Sequence, residues 1–376
     1  MSRDTQPTDI VTRFGSGRDV PRIEDEGLLK GQGRYTDDLA PDGHLRLCFV
    51  RSPHPHARIL RVDADQARAM PGVKYVVTGA ELEAAGVKPL PVNTGFKRPG
   101  GGPSATAPRR ALAYERVRFV GEPVAAVVAD SFEQARDAAE AVWVEYEELP
   151  HVIDPIEAMR PGAPALCKEA PDNIAAEARY GDVAACAAGF AKAVHVVTLD
   201  LVNQRVSALA LEPRAVLGWV ADDGRLTIRM GTQMPSGVRN SVCDSLGLAR
   251  EQVRVTVGDV GGGFGMKTGI YPEDVVVAWC AWQLKRPVKW SADRSEEFLS
   301  AVPGRDLRTH AEMALAADGR VLGLRLKSTG NVGAYALGTG AAIQLMIGPW
   351  VQTSVYDIPI VDFHFQSVMT NTAPIA

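Results

Sequence analysis

Val253-Arg-Val-Thr-Val257, followed at once by Gly258-Asp-Val-Gly-Gly-Gly-Phe-Gly-Met-Lys267, is the stretch whose reading decides the fold. The β-branched run predicts a short strand, the five glycines an irregular loop, and the apolar residues beyond Pro272 a helix. Glycines here let backbone N–H groups approach an anionic or oxo ligand closely, with no Cβ in the way. The loop is not a Walker A loop, because no Gly-Lys-Ser/Thr occurs. It fits Gly-x-Gly-x-x-Gly only loosely and has no dinucleotide-binding unit around it. From composition alone, a tight structural turn and a ligand-cradling loop are equally supported.

Working outward, Arg214 to Val220 and Arg225 to Met230 flank Ala221-Asp-Asp-Gly224, a hairpin pattern. Arg308 to Leu315 and Arg320 to Lys327 repeat it around Ala317-Asp-Gly319. Pro235 to Leu248 and Pro272 to Lys285 read as helices, the second with Glu273 and Asp274 in a first turn that suits the helix dipole. Earlier in the chain, Leu45 to Arg51, Gly72 to Val77 and the continuous apolar run Glu122 to Ala129 read as strands. A helix capped by Asp130 and Ser131 follows, then a strand at Trp143 to Tyr146. Residues 88–110, rich in proline and glycine, read as a long surface loop whose Lys97, Arg98, Arg109 and Arg110 form a solvated face. Pro150, Pro155, Pro161 and Pro164 mark a linker. The chain is therefore expected to be α+β, with an N-terminal extension (1–21), a first domain (22–155) and a second (156–376).

The balance of 41 Lys plus Arg against 45 Asp plus Glu gives a formal charge of −4, which leaves no global positive field for general nucleic-acid binding. The five cysteines form no C-x-x-C pair, so the chain carries no recognisable zinc or iron–sulfur ligand set of its own, and Cys280 reads as a small buried hydrophobe. The N-terminus shows no apolar export signal, so a cytoplasmic location is expected. The uncharged stretch Ser328 to Tyr356 is interrupted by glycines and Pro349, which favours a buried segment over a membrane span.

Hydrolytic constellations are weak: neither His-Glu-x-x-His nor Gly-x-Ser-x-Gly occurs. His54, His56, His195 and His310 read as structural. Glu212, Glu296 and Glu297 each have an arginine nearby in sequence and read as ion-paired structural carboxylates.

In order along the chain, RIEDEGLLKGQGRYTDDL, RSPHPHARILRVD, GEPVAAVVAD and VEYEELPHVIDP resemble the hammerhead domain of the xanthine dehydrogenase, aldehyde oxidase and carbon monoxide dehydrogenase superfamily. LEPRA, GTQMPSGVR, VGGGFGMK and DRSEEF resemble the first molybdenum-cofactor domain of the same large subunits. The resemblance covers the chain from about Arg22. It implies a molybdopterin cofactor, plain or as the cytosine dinucleotide, with 2Fe-2S centres and FAD on partner subunits. The reaction implied is hydroxylation of an aldehyde or N-heteroaromatic carbon with oxygen taken from water.

Carried over residue by residue, Gln233 matches the glutamine whose amide bonds a molybdenum oxygen. Phe264 and Gly265 match the loop whose backbone amides meet the metal's oxo group and the pterin, with Gly262 and Gly263 allowing the approach. Neutral donors of this kind fix a ligand without adding charge. Two departures follow. Thr268 stands where purine-oxidising relatives place a substrate-facing glutamate, which disfavours a xanthine-like substrate. The segment in which relatives carry the catalytic glutamate has no counterpart here, so none of this chain's carboxylates is assigned that role. The sequence stops soon after the strand-like Val361 to Val368. The expectation is one half of a split large subunit, completed by a second-half chain, an iron–sulfur subunit and a flavin subunit; the alternative is a non-catalytic scaffold or a fragment.

Overall fold

The structure, a computed structural model, describes residues 21–92 and 95–375. Most of the expected N-terminal extension lies outside the described residues. Residues 21–34 belong to a small unit of their own, with a short helix at Asp25–Leu29, and the chain from Tyr35 onward forms a second unit.

In that second unit the first half supplies β1 (Leu45–Arg51), β2 (Ala57–Asp63), β3 (Val73–Thr78), β4 (Arg116–Val117), β5 (Pro123–Ala129) and β6 (Trp143–Glu148). The second half supplies β7 (Ile174–Gly181), β8 (His195–Asn203), β9 (Ala215–Val220), β10 (Leu226–Met230), β11 (Val253–Thr256), β12 (Val288–Ser291), β13 (Leu307–Leu315), β14 (Val321–Gly333) and β15 (Val361–Met369). They form a seven-stranded sheet in the order β11-β10-β9-β12-β1-β5-β3, a five-stranded sheet β7-β15-β14-β13-β8 and a small sheet β4-β2-β6. This is the expected α+β architecture, with both hairpins in place as β9–β10 and β13–β14.

Strand β5 shows why the larger sheet is stable. It is buried along its whole length between β1 and β3, and its side chains alternate between two cores. Ala126 and Val128 pack in one cluster with residues of the helix Pro272–Leu284, including Val275 and Cys280. Ala125 and Val127 pack in another with Ala64, Ala67 and Ala138. The helix Pro272–Leu284 is apolar nearly all round and is correspondingly buried, with Cys280 fully enclosed as the sequence suggested. A further helix, Pro235–Leu246, stops two residues before the expected end, because Gly247 adopts a left-handed C-cap.

Two expectations change in three dimensions. The proline-rich linker divides the sequence but not the large sheet: β1 from the first half pairs in parallel with β12 from the second, Leu45 opposite Val288 and Arg46 opposite Lys289. The described part of residues 88–110 is only partly solvated: Lys97 and residues 100–103 are exposed as expected. Leu90, Ala105, Ala107 and Arg109 are buried, and the segment threads between the two halves. Arg98 binds the backbone carbonyls of Glu169 (2.7 Å) and Ile174 (3.0 Å), and Arg110 pairs with Glu83. Glycine and proline content foretold irregular backbone, which ordinarily runs over the surface, but the small alanine side chains let this one be covered.

The uncharged stretch 328–356 begins buried in β14, where the Asn331 carboxamide bonds Asp306, Gly333 and Thr370 at 2.7–3.0 Å. Among the described residues no helix is long and apolar enough to cross a membrane.

Candidate functional site

The glycine loop leaves β11 and returns towards the helix Pro272–Leu284, and a buried ion pair fixes it from below. Lys267, 3% exposed, donates from Nζ to a Glu212 carboxylate oxygen (2.8 Å) and to the Glu212 carbonyl (2.9 Å). The same carboxylate accepts from the Gly261 N–H at 2.8 Å, so one acidic side chain ties both ends of the loop to residue 212. Glu212 is thus an ion-paired structural carboxylate, but its partner is Lys267, 55 residues away, and not the adjacent arginine. Tyr271 adds a second tie. Its hydroxyl donates to the Met266 carbonyl (2.7 Å) and accepts from the Val302 N–H (3.2 Å), and burial with loss of water pushes its pKa up to about 12.

On the outer side the loop holds the side chain of Gln233. The Gly265 N–H donates to Gln233 Oε1 at 3.0 Å. A backbone N–H can only donate, so the Gln233 amide oxygen must face it, and the amide NH2 is turned the other way, with no partner among the described residues. The Gln233 backbone is held by its own N–H to the Lys267 carbonyl (2.9 Å). A Cβ on Gly263 would come within 2.6 Å of Gln233 Oε1, so only glycine leaves room for the amide. Gly262 and Gly265 have φ of +108° and +83°. Phe264 lies between them at φ +48° and is 74% exposed. A left-handed phenylalanine costs of order 1–3 kcal/mol, and the exposed ring gains little packing to offset it; such strain marks functional loops. The structure therefore brings Gln233, Gly262, Gly263, Phe264 and Gly265 into one patch.

Behind this patch lies a buried charge network that sequence reading identified only in pieces. Arg214 donates to Glu297 (3.0 Å), Glu273 (3.3 Å) and the Ser300 hydroxyl, and its guanidinium lies 3.9 Å from the centre of the Tyr271 ring. Arg51 of β1 holds the other Glu273 oxygen (2.8 Å) and Glu296 (2.7 Å). Burial would raise the pKa of Glu273, but the two guanidiniums overcome it and hold the carboxyl at about 2. Asp274 caps the same helix by accepting from the Tyr271 N–H (2.8 Å). Burial, with the charge of Glu273 beside it, pushes its pKa up to about 7.

Two of the histidines play the structural parts expected of them. His56 is buried with Nδ1 at 2.6 Å from the Pro150 carbonyl, and His310 pairs with Asp200 across β13 and β8. Among the described residues no cluster of three or more His, Cys, Asp or Glu could hold a metal ion. A cavity of about 640 Å³, lined in part by Arg58, Arg110, Arg116 and Arg118, has no residue of the glycine loop in its lining.

The glycine loop and Gln233 lie within a stretch that matches a known family model. Residues 166–376 match the molybdopterin cofactor-binding domain, and residues 30–150 match the a/b hammerhead domain of aldehyde oxidase and xanthine dehydrogenase. The chain is 36% identical over 373 residues to the nicotine 6-hydroxylase large subunit of Paenarthrobacter nicotinovorans, covering 97% of this chain and 44% of that one. It is 35% identical over 368 residues to the carbon monoxide dehydrogenase large chain of Hydrogenophaga pseudoflava, covering 93% and 44%. The crystal structure of quinoline 2-oxidoreductase from Pseudomonas putida 86 superposes with a TM-score of 0.87 at 36% identity, covering 95% of this chain and 44% of that one. The chain belongs to the xanthine dehydrogenase, aldehyde oxidase and carbon monoxide dehydrogenase superfamily of molybdenum oxidoreductases, as part of its molybdopterin-binding large subunit. It spans less than half the length of these relatives.

Proposed function

We propose that this chain supplies one wall of the active site of a molybdenum hydroxylase that oxidises an aldehyde or N-heteroaromatic carbon. The observation that carries this reading is the Gln233 amide, locked by Gly265 so that its NH2 group faces away from the loop. Gln233, the backbone of Phe264 and Gly265, and the space left by Gly262 and Gly263 would hold the molybdopterin, in plain or cytosine-dinucleotide form. The cofactor supplies the redox chemistry and the oxygen transfer when bound. The chain's own contribution is positional: Gln233 donates a neutral hydrogen bond, the glycines permit close approach, and the Glu212–Lys267 pair keeps the loop from relaxing.

The general base, the iron–sulfur centres and the flavin are assigned to polypeptide beyond these two domains, in this complex or a longer chain. Strand β8 supports such a partner. It pairs only with β13 among the described residues, and Val196, Val197, Leu199, Leu201 and Val202 on it are 47–62% exposed. An open edge with this much apolar surface is suited to being covered. A cytoplasmic location fits the absence of any disulfide among the described cysteines. The test is to purify the complex from its native host through a tag on this chain, measure molybdenum and iron, and count the co-purifying subunits. Molybdenum with excess iron and partner chains is expected; a chain that purifies alone and without molybdenum would favour the scaffold reading.

A further inference from the structure

Beside the glycine loop lies a cavity of about 220 Å³, walled by Met234, Thr268 and Tyr271 from the second half and by Leu90, Pro91 and Arg109 from the first. It adjoins the Gln233 patch, because Met234 follows Gln233 and Thr268 follows the loop. The Thr268 hydroxyl donates back to the Gly265 carbonyl at 2.7 Å. The volume is about that of seven waters at ~30 Å³ each and falls below that of drug-sized pockets, so it suits a small molecule or one end of a larger one.

Arg109 is the unusual member of this wall. It is 3% exposed, yet its guanidinium has no hydrogen-bond or ion-pair partner among the described residues. Burial pulls its pKa below the usual arginine value. The carboxylates that act on it from a distance, Glu273 and Glu122, are already engaged: Glu273 by Arg214 and Arg51, Glu122 by the Tyr335 hydroxyl and the Arg118 N–H. No Asp or Glu lines the cavity among the described residues. A buried cation without a partner is costly, and folded chains ordinarily pair it. An arginine fork left open on a small cavity matches a planar carboxylate.

We propose that Arg109 is a specificity-determining residue that binds the carboxylate of a small anionic substrate seated in this cavity, beside the carbon to be oxidised. The inference rests on the hydroxylase reading for the word substrate, but the carboxylate site itself can be tested without turnover. The experiment is calorimetric titration of the chain with benzoate, acetate, inorganic phosphate and the neutral benzamide, repeated on Arg109→Met and Arg109→Lys. Benzoate is expected to bind at least ~10-fold more tightly than benzamide, the low end for a charge-assisted contact. Arg109→Met should erase that preference and Arg109→Lys should retain part of it.

Thermal unfolding of the same variants supplies the second readout. Removing an unpaired buried charge should raise the Tm of Arg109→Met, whereas removing a structural arginine would lower it. Three results would overturn the proposal: benzoate binding no better than benzamide, a preference that survives Arg109→Met, or a lower Tm in that variant. In the native complex, loss of molybdenum on Arg109→Met would assign the guanidinium to a cofactor phosphate and equally defeat it. If the complex holds no molybdenum but benzoate discrimination persists, the hydroxylase reading fails and the carboxylate site stands.

Discussion

The regions around Arg214 and Arg109 both bury a guanidinium near Tyr271, yet they are built to opposite plans. Arg214 is saturated: Glu273, Glu297, Ser300 and the Tyr271 ring account for it, and Arg51 completes the network from the other half of the sequence. Arg109 has no such partner among the described residues and borders a cavity. The glycine loop combines the two plans, since Lys267 pairs with one Glu212 oxygen beneath it while the Gln233 NH2 and the Phe264 ring are left open above. Within this chain, the paired groups of the Arg214 network hold the fold, and the open groups at Gln233 and Arg109 carry the proposed binding roles.

The largest test of that division is Arg214→Met. It leaves Glu273 and Glu297 buried without their shared cation, and about 3–5 kcal/mol of stability should be lost in urea unfolding, with both halves of the sequence melting together. A loss under about 1 kcal/mol would mean that the network is not what joins them.

The pH dependence of the same network comes next. Glu273, held at about 2 against an ordinary 4.5, contributes stability that is present above pH 4.5 and lost as the pH falls towards 2. Asp274 runs the other way: raised to about 7 from an ordinary 3.8, it contributes stability that is full below about pH 4 and lost as the pH rises through 7. Asp274→Asn should therefore flatten the decline in Tm between pH 4 and 8, and an unchanged slope there would remove Asp274 from the account.

On the open side the effects should fall on activity and spare stability. Gln233→Ala in the native complex should cost about 1–3 kcal/mol of transition-state stabilisation, read as kcat/KM, with an unchanged Tm. Unchanged activity would instead support a non-catalytic scaffold. Gly263→Ala should be milder, about a tenfold loss, because its Cβ displaces a side chain that can move. If the two losses add in the double variant, Gly263 is not acting through Gln233.

Much of this was legible in the sequence. The hairpins around 221–224 and 317–319, the buried run of β5 and the helix beginning at Pro272 follow from local patterning, which depends on neighbours a few residues away. The glycine loop and Gln233 were legible as well, as motifs held in order along the chain. The linker, the buried loop and the ion pairs were not. Arg51 meets Glu273 across 222 residues, Lys267 meets Glu212 across 55, and β1 joins β12 across the proline-rich boundary. The sequence by itself determined which elements form and which residues make up the glycine loop, because backbone propensity and glycine geometry are local. Only the tertiary structure decided which charges are paired, and that Arg109, one of two adjacent arginines in a loop that reads as solvated, is buried on a cavity. Burial and pairing depend on what the rest of the chain packs against a residue, and that is a property of the completed fold.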